Sequence, residues 1–276
     1  MSLSNLEEKV YFSALGASAV NFETIKTWQI ASNGTLKVIV HNLVKKGYFQ
    51  RVKKGVYIAK KPGAPQLIDA ICIAENTYKG YAAFSTALFI HKLTEEMPFT
   101  IFIATKTQSC EKNFGNYTIK AVAIGQRLMG TAKVDNYTVS TLPKTFYDCL
   151  HLPQYAGGYP NILKAIYNAK MNEKQWKEFM QYVEKFKSYA FCQRAGYMLS
   201  LLKKETNIKI PDFVLSYTKS KVKYELNLWH GTDAKEQKQK ASRRFASIHP
   251  NCQYIKEWQL TDCIGKEKLL SWWYHG

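Results

Sequence analysis

The chain has 276 residues, room for two domains of ordinary size, and 46% of them are apolar, which excludes a generally disordered protein. Its 39 lysines and arginines against 21 aspartates and glutamates leave a formal charge of +18. That excess calls for an anionic partner: nucleic acid first, an acidic protein or a membrane surface second, against the plain alternative of a basic protein without a specific partner. No stretch approaches the ~20 consecutive apolar residues of a helical span, so no membrane partner is expected.

Taken in chain order, residues 5–15 predict a first helix carrying Leu6, Val10 and Leu15, ended by Gly16. Asn21 is a candidate N-cap for a second, with Phe22, Ile25, Trp28 and Gln29 at helical spacing. Asn33 can cap a third, in which Leu36, Ile39, Val40 and Leu43 fall at i, i+3, i+4 and i+7, and Gly47 suits its C-terminal end. "YFQRV" and "VYIA", joined by Lys53-Lys54-Gly55, predict a β-hairpin. Three short helices and a hairpin make a winged helix-turn-helix over residues 1–62, and "KKPGAP" (60–65) is the expected linker.

Beyond it the elements mix. "QLIDAICIAENTY" and "AAFSTALFIHKL" read as helices, "FTIFIATK" and "YTIKAVAI" as strands, and "YTVSTLPKTFYDCL" as a strand running into a helix. From Asn161 to about Lys204 the periodicity is helical throughout. The expected fold is therefore α+β: the N-terminal winged helix-turn-helix, a larger mixed α/β domain with a helical part over 63–205, and an unassigned C-terminal extension over 206–276, packed on the second domain. In that extension "KYELNLWHG" suggests a strand, "TDAKEQKQKASRRFA" a charged helix or loop, and "KEKLLSWWYHG" a docked aromatic end.

The third helix and the hairpin have the chemistry of a DNA reader. A recognition helix in the major groove meets base edges with its outward face, and phosphate contacts fix its register. That face carries Asn33, Thr35, Lys37, Val38, His41, Asn42 and Lys45. Asn42 and His41 can hydrogen-bond to bases, Thr35 to a base or a phosphate, and Val38 can touch a thymine methyl. Lys37, Lys45, Lys46, Arg51, Lys53 and Lys54 are assigned to phosphates. From Thr24 to Ile68 there are nine basic residues and no acidic one. Six phosphate contacts would give a logarithmic salt slope of about −5. The competing reading is a solvated face of a helical domain that binds protein.

Two segments add a family resemblance. In "AAFSTALFIHKLTEEMPFTIFIATKT" (82–107), Ser85, Ala87, Leu88, His91, Leu93, Thr94 and Glu95 resemble the AbiEi antitoxin family of toxin–antitoxin systems, where such a helix ends in His-x-Leu-Thr-Glu and leads into a strand. In "LPKTFYDCLHLPQYAGGYPNILKAI" (142–166), Thr145, Asp148, Pro153, Tyr155, Ala156, Gly157 and Gly158 are similar to a second block of that family, with Pro143 one residue nearer Lys144 than the pattern has it. The resemblance covers about residues 5–205 and stops after Lys204. It implies a transcriptional autorepressor whose winged helix binds inverted repeats in its own promoter. It also implies that the following domain antagonises a toxin of the nucleotidyltransferase type without necessarily holding it in a stable complex. The alternative is a stand-alone winged-helix transcription factor whose second domain senses a ligand or dimerises.

Other candidate sites read more plainly. Asp148 is expected to hydrogen-bond to the Ala156-Gly157-Gly158 turn, and His91 to fix a helix end. The glycine pair lacks the context of a phosphate loop. The six cysteines are scattered without a CxxC pair, which predicts free thiols in a reducing cytoplasm. His249, Cys252, Cys263 and His275 have irregular spacing for zinc, so neither metal nor cofactor is expected. The absence of a Ser/His/Asp order, an HExxH or a paired-acid motif argues against an enzyme. Lys235, Lys238, Lys240, Arg243 and Arg244, with Trp258, Trp272, Trp273 and Tyr274, could stack and neutralise single-stranded nucleic acid, but a solvated charged segment followed by packed aromatics is the preferred reading.

Overall fold

A computed structural model describes residues 2–17, 19–60, 69–114, 116–228 and 252–275. The fold is mixed α+β and forms two compact units interleaved in sequence. The first takes in the described residues of 1–82, 99–128 and 135–138, and the second the remainder. The expected segments 1–62, 63–205 and 206–276 are sequential, whereas these units are not. The expected 60–65 linker lies almost wholly outside the described residues.

The first unit opens with α1 (Asn5–Leu15), β1 (Val20–Asn21), α2 (Phe22–Thr27), α3 (Asn33–Lys45), β2 (Phe49–Lys53) and β3 (Val56–Ala59). Helix α1 begins in a capping box, in which Ser4 accepts from the Glu7 amide and Glu7 from the Ser4 amide. Asn21 caps α2 as expected, accepting from the Thr24 amide at 2.8 Å. The cap of α3 is Ser32 and not Asn33: its hydroxyl accepts from the Thr35 amide. Serine in an extended conformation places its short side chain over the first free amides, and Asn33 is already helical. Val10, Tyr11, Ala14, Ile25, Leu36, Ile39, Val40, Leu43 and Phe49 close one core between these helices and the antiparallel sheet β1-β3-β2.

The unit continues with α4 (Ala70–Thr77), β4 (Gly80–Ala82), β5 (Thr100–Thr105), β6 (Cys110–Phe114) and β7 (Tyr117–Ala123). In the large sheet these strands lie in the order β6-β7-β5-β4, and β8 (Thr131–Val134) and β9 (Tyr137–Ser140) follow in the chain. β5 and β7 run parallel, and β6 pairs with β7 as an antiparallel edge hairpin. The apolar run "IFIAT" is buried on both faces, as a central strand requires. β6 was not legible in the sequence because an exposed edge strand, "CEKNF", has no apolar alternation; its Glu111 pairs across the register with Lys120 at 2.8 Å. Asp69 caps α4 through one carboxylate oxygen and accepts from the Tyr137 hydroxyl through the other.

The second unit is mostly helical: α5 (Phe84–Ile90), α6 (Leu142–His151), α7 (Gly158–Ala169), α8 (Glu173–Phe186), α9 (Tyr189–Glu205) and α10 (Asp212–Ser220). Its centre holds an ion pair with no access to solvent. Lys144 and Asp148, one turn apart on α6 and 0% and 2% exposed, meet at 2.5 Å, with the rings of Tyr147 and Tyr182 under the ammonium. Asp148 therefore meets Lys144 of its own helix.

The described residues after Lys204 belong to this unit. The strands β10 (Leu226–Leu228), β11 (Gln253–Ile255) and β12 (Leu260–Asp262) form a small sheet in the order β10-β12-β11, followed by α11 (Lys266–Leu269) and α12 (Ser271–Tyr274). Gln193 on α9 donates to the carbonyls of Tyr224, Trp258 and Gln259, and Tyr197 donates to Asp262 at 2.8 Å. At Gly196 any side chain would collide with the Trp258 ring, since a Cβ there would stand 2.3 Å from it. Cys252 and Cys263 are joined as a disulfide, which corrects the expectation of six free thiols; Cys72, Cys110, Cys149 and Cys192 form no disulfide. The segment "TDAKEQKQKASRRFA" lies outside the described residues.

Removing one member of a buried ion pair strands the other charge in a low dielectric. Asp148→Ala should cost about 3–5 kcal/mol in urea unfolding, whereas the double replacement Lys144→Met/Asp148→Leu should recover most of it. A single replacement that costs no more than a surface change would show that the pair is not what holds α6 in place.

Candidate nucleic-acid interface

Burial of Leu36, Ile39, Val40 and Leu43 turns the rest of α3 outward. Asn33, Thr35, Lys37, Val38, His41 and Lys45 are exposed and Asn42 is half-buried. Val38 is 59% exposed, an aliphatic side chain left bare in the middle of a polar face. The Thr35 hydroxyl lies 2.9 Å from that of Ser32, so the helix cap already engages it.

The hairpin is short and tied down. Gly55, at φ +81°, supplies the left-handed residue of the turn, and its carbonyl accepts from the Phe22 amide at 2.7 Å, fixing the tip to the start of α2. A bulge between Arg51 and Lys53 re-aims the strand. Between α3 and the hairpin lies a concave shelf of about 450 Å³, on which Lys37, His41, Arg51 and Lys54 come together. Phe22 and Tyr57 are among its walls. Tyr57 was missed in the sequence, although the alternation of "VYIA" sets it opposite the buried Val56 and Ile58. One carboxylate, Glu23, borders the shelf and is neutralised by Lys26 at 2.8 Å.

Two lysines assigned to phosphates from the sequence are engaged elsewhere. Lys46 turns back to Glu7 at 2.7 Å and to the Ser2 carbonyl at 3.1 Å. Its hydrogen bond, together with that from the Ser4 amide, holds the buried Glu7 carboxyl below its ordinary range. Lys53 donates to the Thr77 carbonyl and lies 5.1 Å from the centre of the Tyr78 ring; burial, with the nearby Lys112 charge, pushes its pKa down. Arg51 stays exposed, its Nε reaching the Lys53 carbonyl at 3.4 Å. Lys37, Lys45, Arg51 and Lys54 are thus the exposed cations of the face.

The remaining candidates are structural. His91 ends α5, its Nε2 2.8 Å from the Ser140 carbonyl, and burial keeps its pKa low. Gly157 and Gly158 form a left-handed turn into α7. Of the four residues weighed for zinc, Cys252 and Cys263 are bonded to each other, and His249 lies outside the described residues, as do Lys235, Lys238, Lys240, Arg243 and Arg244. Among the described residues no three His, Cys, Asp or Glu side chains converge as a metal would need. Trp258 is buried beneath the Lys219 ammonium, and Trp272 and Trp273 pack on Tyr167. No helix among the described residues is long and apolar enough to cross a membrane.

No known family model matches the chain, and no curated protein does. Among solved structures it is similar to the RV2827C protein from Mycobacterium tuberculosis, with a TM-score of 0.57 at 10% identity over 99% of this chain and 96% of that one. The likeness is one of fold alone.

The Glu7–Lys46 pair carries a pH signature. A free glutamate titrates near 4.5 and the folded one below it, so the folded state holds fewer protons in between. The contribution of the pair is complete above that value and is lost as pH falls through the lower folded one. The stability difference between the native chain and Lys46→Met should be constant at neutral pH and shrink on acidification. A difference that stays flat down to about pH 3 would rule out the linkage.

Proposed function

We propose that the first sixty residues work as a winged helix-turn-helix that binds double-stranded DNA, at inverted repeats in the protein's own promoter, and that the protein is an autorepressor. One observation carries this reading. Lys37, His41, Arg51 and Lys54 share a shelf beside an exposed Val38, and its one bordering carboxylate is already paired. An array of like charges without counter-ions is unfavourable by itself and is relieved by phosphates. α3 supplies base-contacting groups in His41 and Asn42 and an apolar one for a thymine methyl in Val38. The hairpin supplies phosphate contacts at Arg51 and Lys54.

Withdrawal of Lys46 and Lys53 reduces the phosphate set from six residues to four, and the expected salt slope from about −5 to about −4. In titrations on promoter DNA, Lys54→Ala should flatten the slope by about one unit and weaken all sequences alike. Lys53→Ala should leave the slope unchanged, whereas Val38→Ala and Asn42→Ala should relax sequence preference. Equal slope changes for Lys53 and Lys54 would sink the assignment.

We further infer that the larger part of the chain serves as antitoxin to a nucleotidyltransferase-type toxin, in the manner of the AbiEi family that residues 82–107 and 142–166 resemble. The residues carrying that resemblance include buried packing groups: Ala87, Leu88, Thr145, Asp148 and Ala156. They support a shared scaffold more than a contact site. Co-expression of the full chain with a neighbouring nucleotidyltransferase gene should restore growth. A Lys37→Ala/His41→Ala/Lys54→Ala variant should rescue equally, because repression and antagonism use different surfaces. Failure of the native chain to rescue rejects the antitoxin role and leaves the DNA reading standing.

A further inference from the structure

A second basic site lies in the helical unit. Helix α8 ends at Phe186; Lys187 takes a left-handed conformation and Ser188 caps α9, so a turn of two residues reverses the chain. Helix α10 packs along α9, and its end brings Tyr217 and Lys221 beside that turn. Together Lys187, Ser188, Tyr189, Cys192, Tyr217 and Lys221 line a cavity of about 250 Å³. Lys223 reaches the same place from the following loop, its ammonium 4.0 Å from the centre of the Tyr189 ring, while that of Lys221 lies 4.8 Å from the Tyr217 ring.

The charges around this cavity are not balanced. Several lysines of the unit meet carboxylates, among them Lys177 with Glu173, Lys203 with Asp212, Lys219 with Glu257 and Lys266 with Glu205. Among the described residues Lys187, Lys221 and Lys223 form no such pair. The acidic charge felt at the cavity wall is that of exposed Glu184, which acts on Tyr217. Three ammonium groups around one opening repel one another, and an anion seated among them removes that repulsion. The Tyr189 phenol responds to the same field: the hydrogen bond and charge of Lys223, then the charges of Lys221 and Lys187, hold it below its ordinary range. Ser188 and Tyr189 add hydroxyl donors at the rim.

We propose that this cavity binds the phosphate group of a small molecule, either inorganic phosphate or a phosphate monoester, on Lys187, Lys221 and Lys223. A doubly charged, many-lobed acceptor suits three convergent ammonium groups and two hydroxyls better than a single carboxylate does. The cavity is larger than a lone phosphate, with room for part of an attached sugar or ring. The site owes nothing to the DNA reading and stands or falls separately.

The test is calorimetric titration of the full chain with inorganic phosphate, adenosine monophosphate and adenosine. One-to-one binding of phosphate or the monophosphate, with none of adenosine, is expected; a tighter monophosphate identifies an ester ligand, and equal affinities a phosphate site. Lys221→Gln and Lys223→Gln should each weaken binding about tenfold, and the triple Lys187→Gln/Lys221→Gln/Lys223→Gln should abolish it. Thermal melts of the single variants keep the result readable if the triple one fails to fold. Lys37→Gln/Lys54→Gln, on the other unit, should bind as the native chain does. Binding of neither phosphate compound, adenosine binding as well as its monophosphate, unchanged affinity in the singly substituted chains, or equal loss in the α3 variant would each overturn the site.

Discussion

Helix α3 can bury Leu36, Ile39, Val40 and Leu43 only by turning Lys37, Val38, His41 and Lys45 away from the core. The basic outward face of the helix follows from that one constraint. Everything nearby keeps the helix in this rotation: the Ser32 cap at its start, Tyr11 of α1 against Tyr48 beyond its end, and the Phe22–Gly55 hydrogen bond that fixes the hairpin beside it. A few tens of degrees of rotation about the helix axis would bring Lys37 toward the core and expose Ile39. The apolar stripe forbids this at a cost of a few kcal/mol.

Lysine has three fates in the first sixty residues, and burial distinguishes them. Lys46 neutralises Glu7, a carboxylate that the α1 capping box takes out of solvent. Lys53 lies over an aromatic ring and satisfies a carbonyl at the end of α4. Lys37 and Lys54 reach solvent beside the shelf. A net charge of +18 is therefore no count of binding groups, because part of it is consumed in holding the fold. The same distinction separates the paired lysines of the helical unit from the three that surround the Tyr189 cavity.

Residues 83–98 and 142–166 of the second unit bury polar groups that satisfy one another. Lys144 and Asp148 neutralise each other beneath Tyr147 and Tyr182, Thr145 hydrogen-bonds back into the start of its own helix, and His91 closes α5 on the Ser140 carbonyl. Of these, the helix end at His91 was legible in the sequence, as was the glycine turn, because a left-handed turn favours glycine. The Lys144–Asp148 pair was not, since only burial of both side chains makes each the other's partner.

By itself the sequence determined the order of elements through the hairpin, the core stripe of α3, the central strands and the three long helices. Each is a local pattern, with periodicities of 3.6 or 2 and a glycine or cap at the boundary, and local patterns survive in one dimension. It suggested β10 in "KYELNLWHG" but did not reveal β1, the edge strand β6, α10 or the strands β11 and β12, whose residues make sense only against the partners that cover them. Nor could it sort equivalent lysines or pair Cys252 with Cys263. Whether an ammonium group ends in solvent, on a carboxylate or over a ring depends on which distant segment the fold brings within about 3–5 Å. Tertiary structure alone decides that, because electrostatic and hydrogen-bond energies depend on distance through space, and the sequence records distance only along the chain.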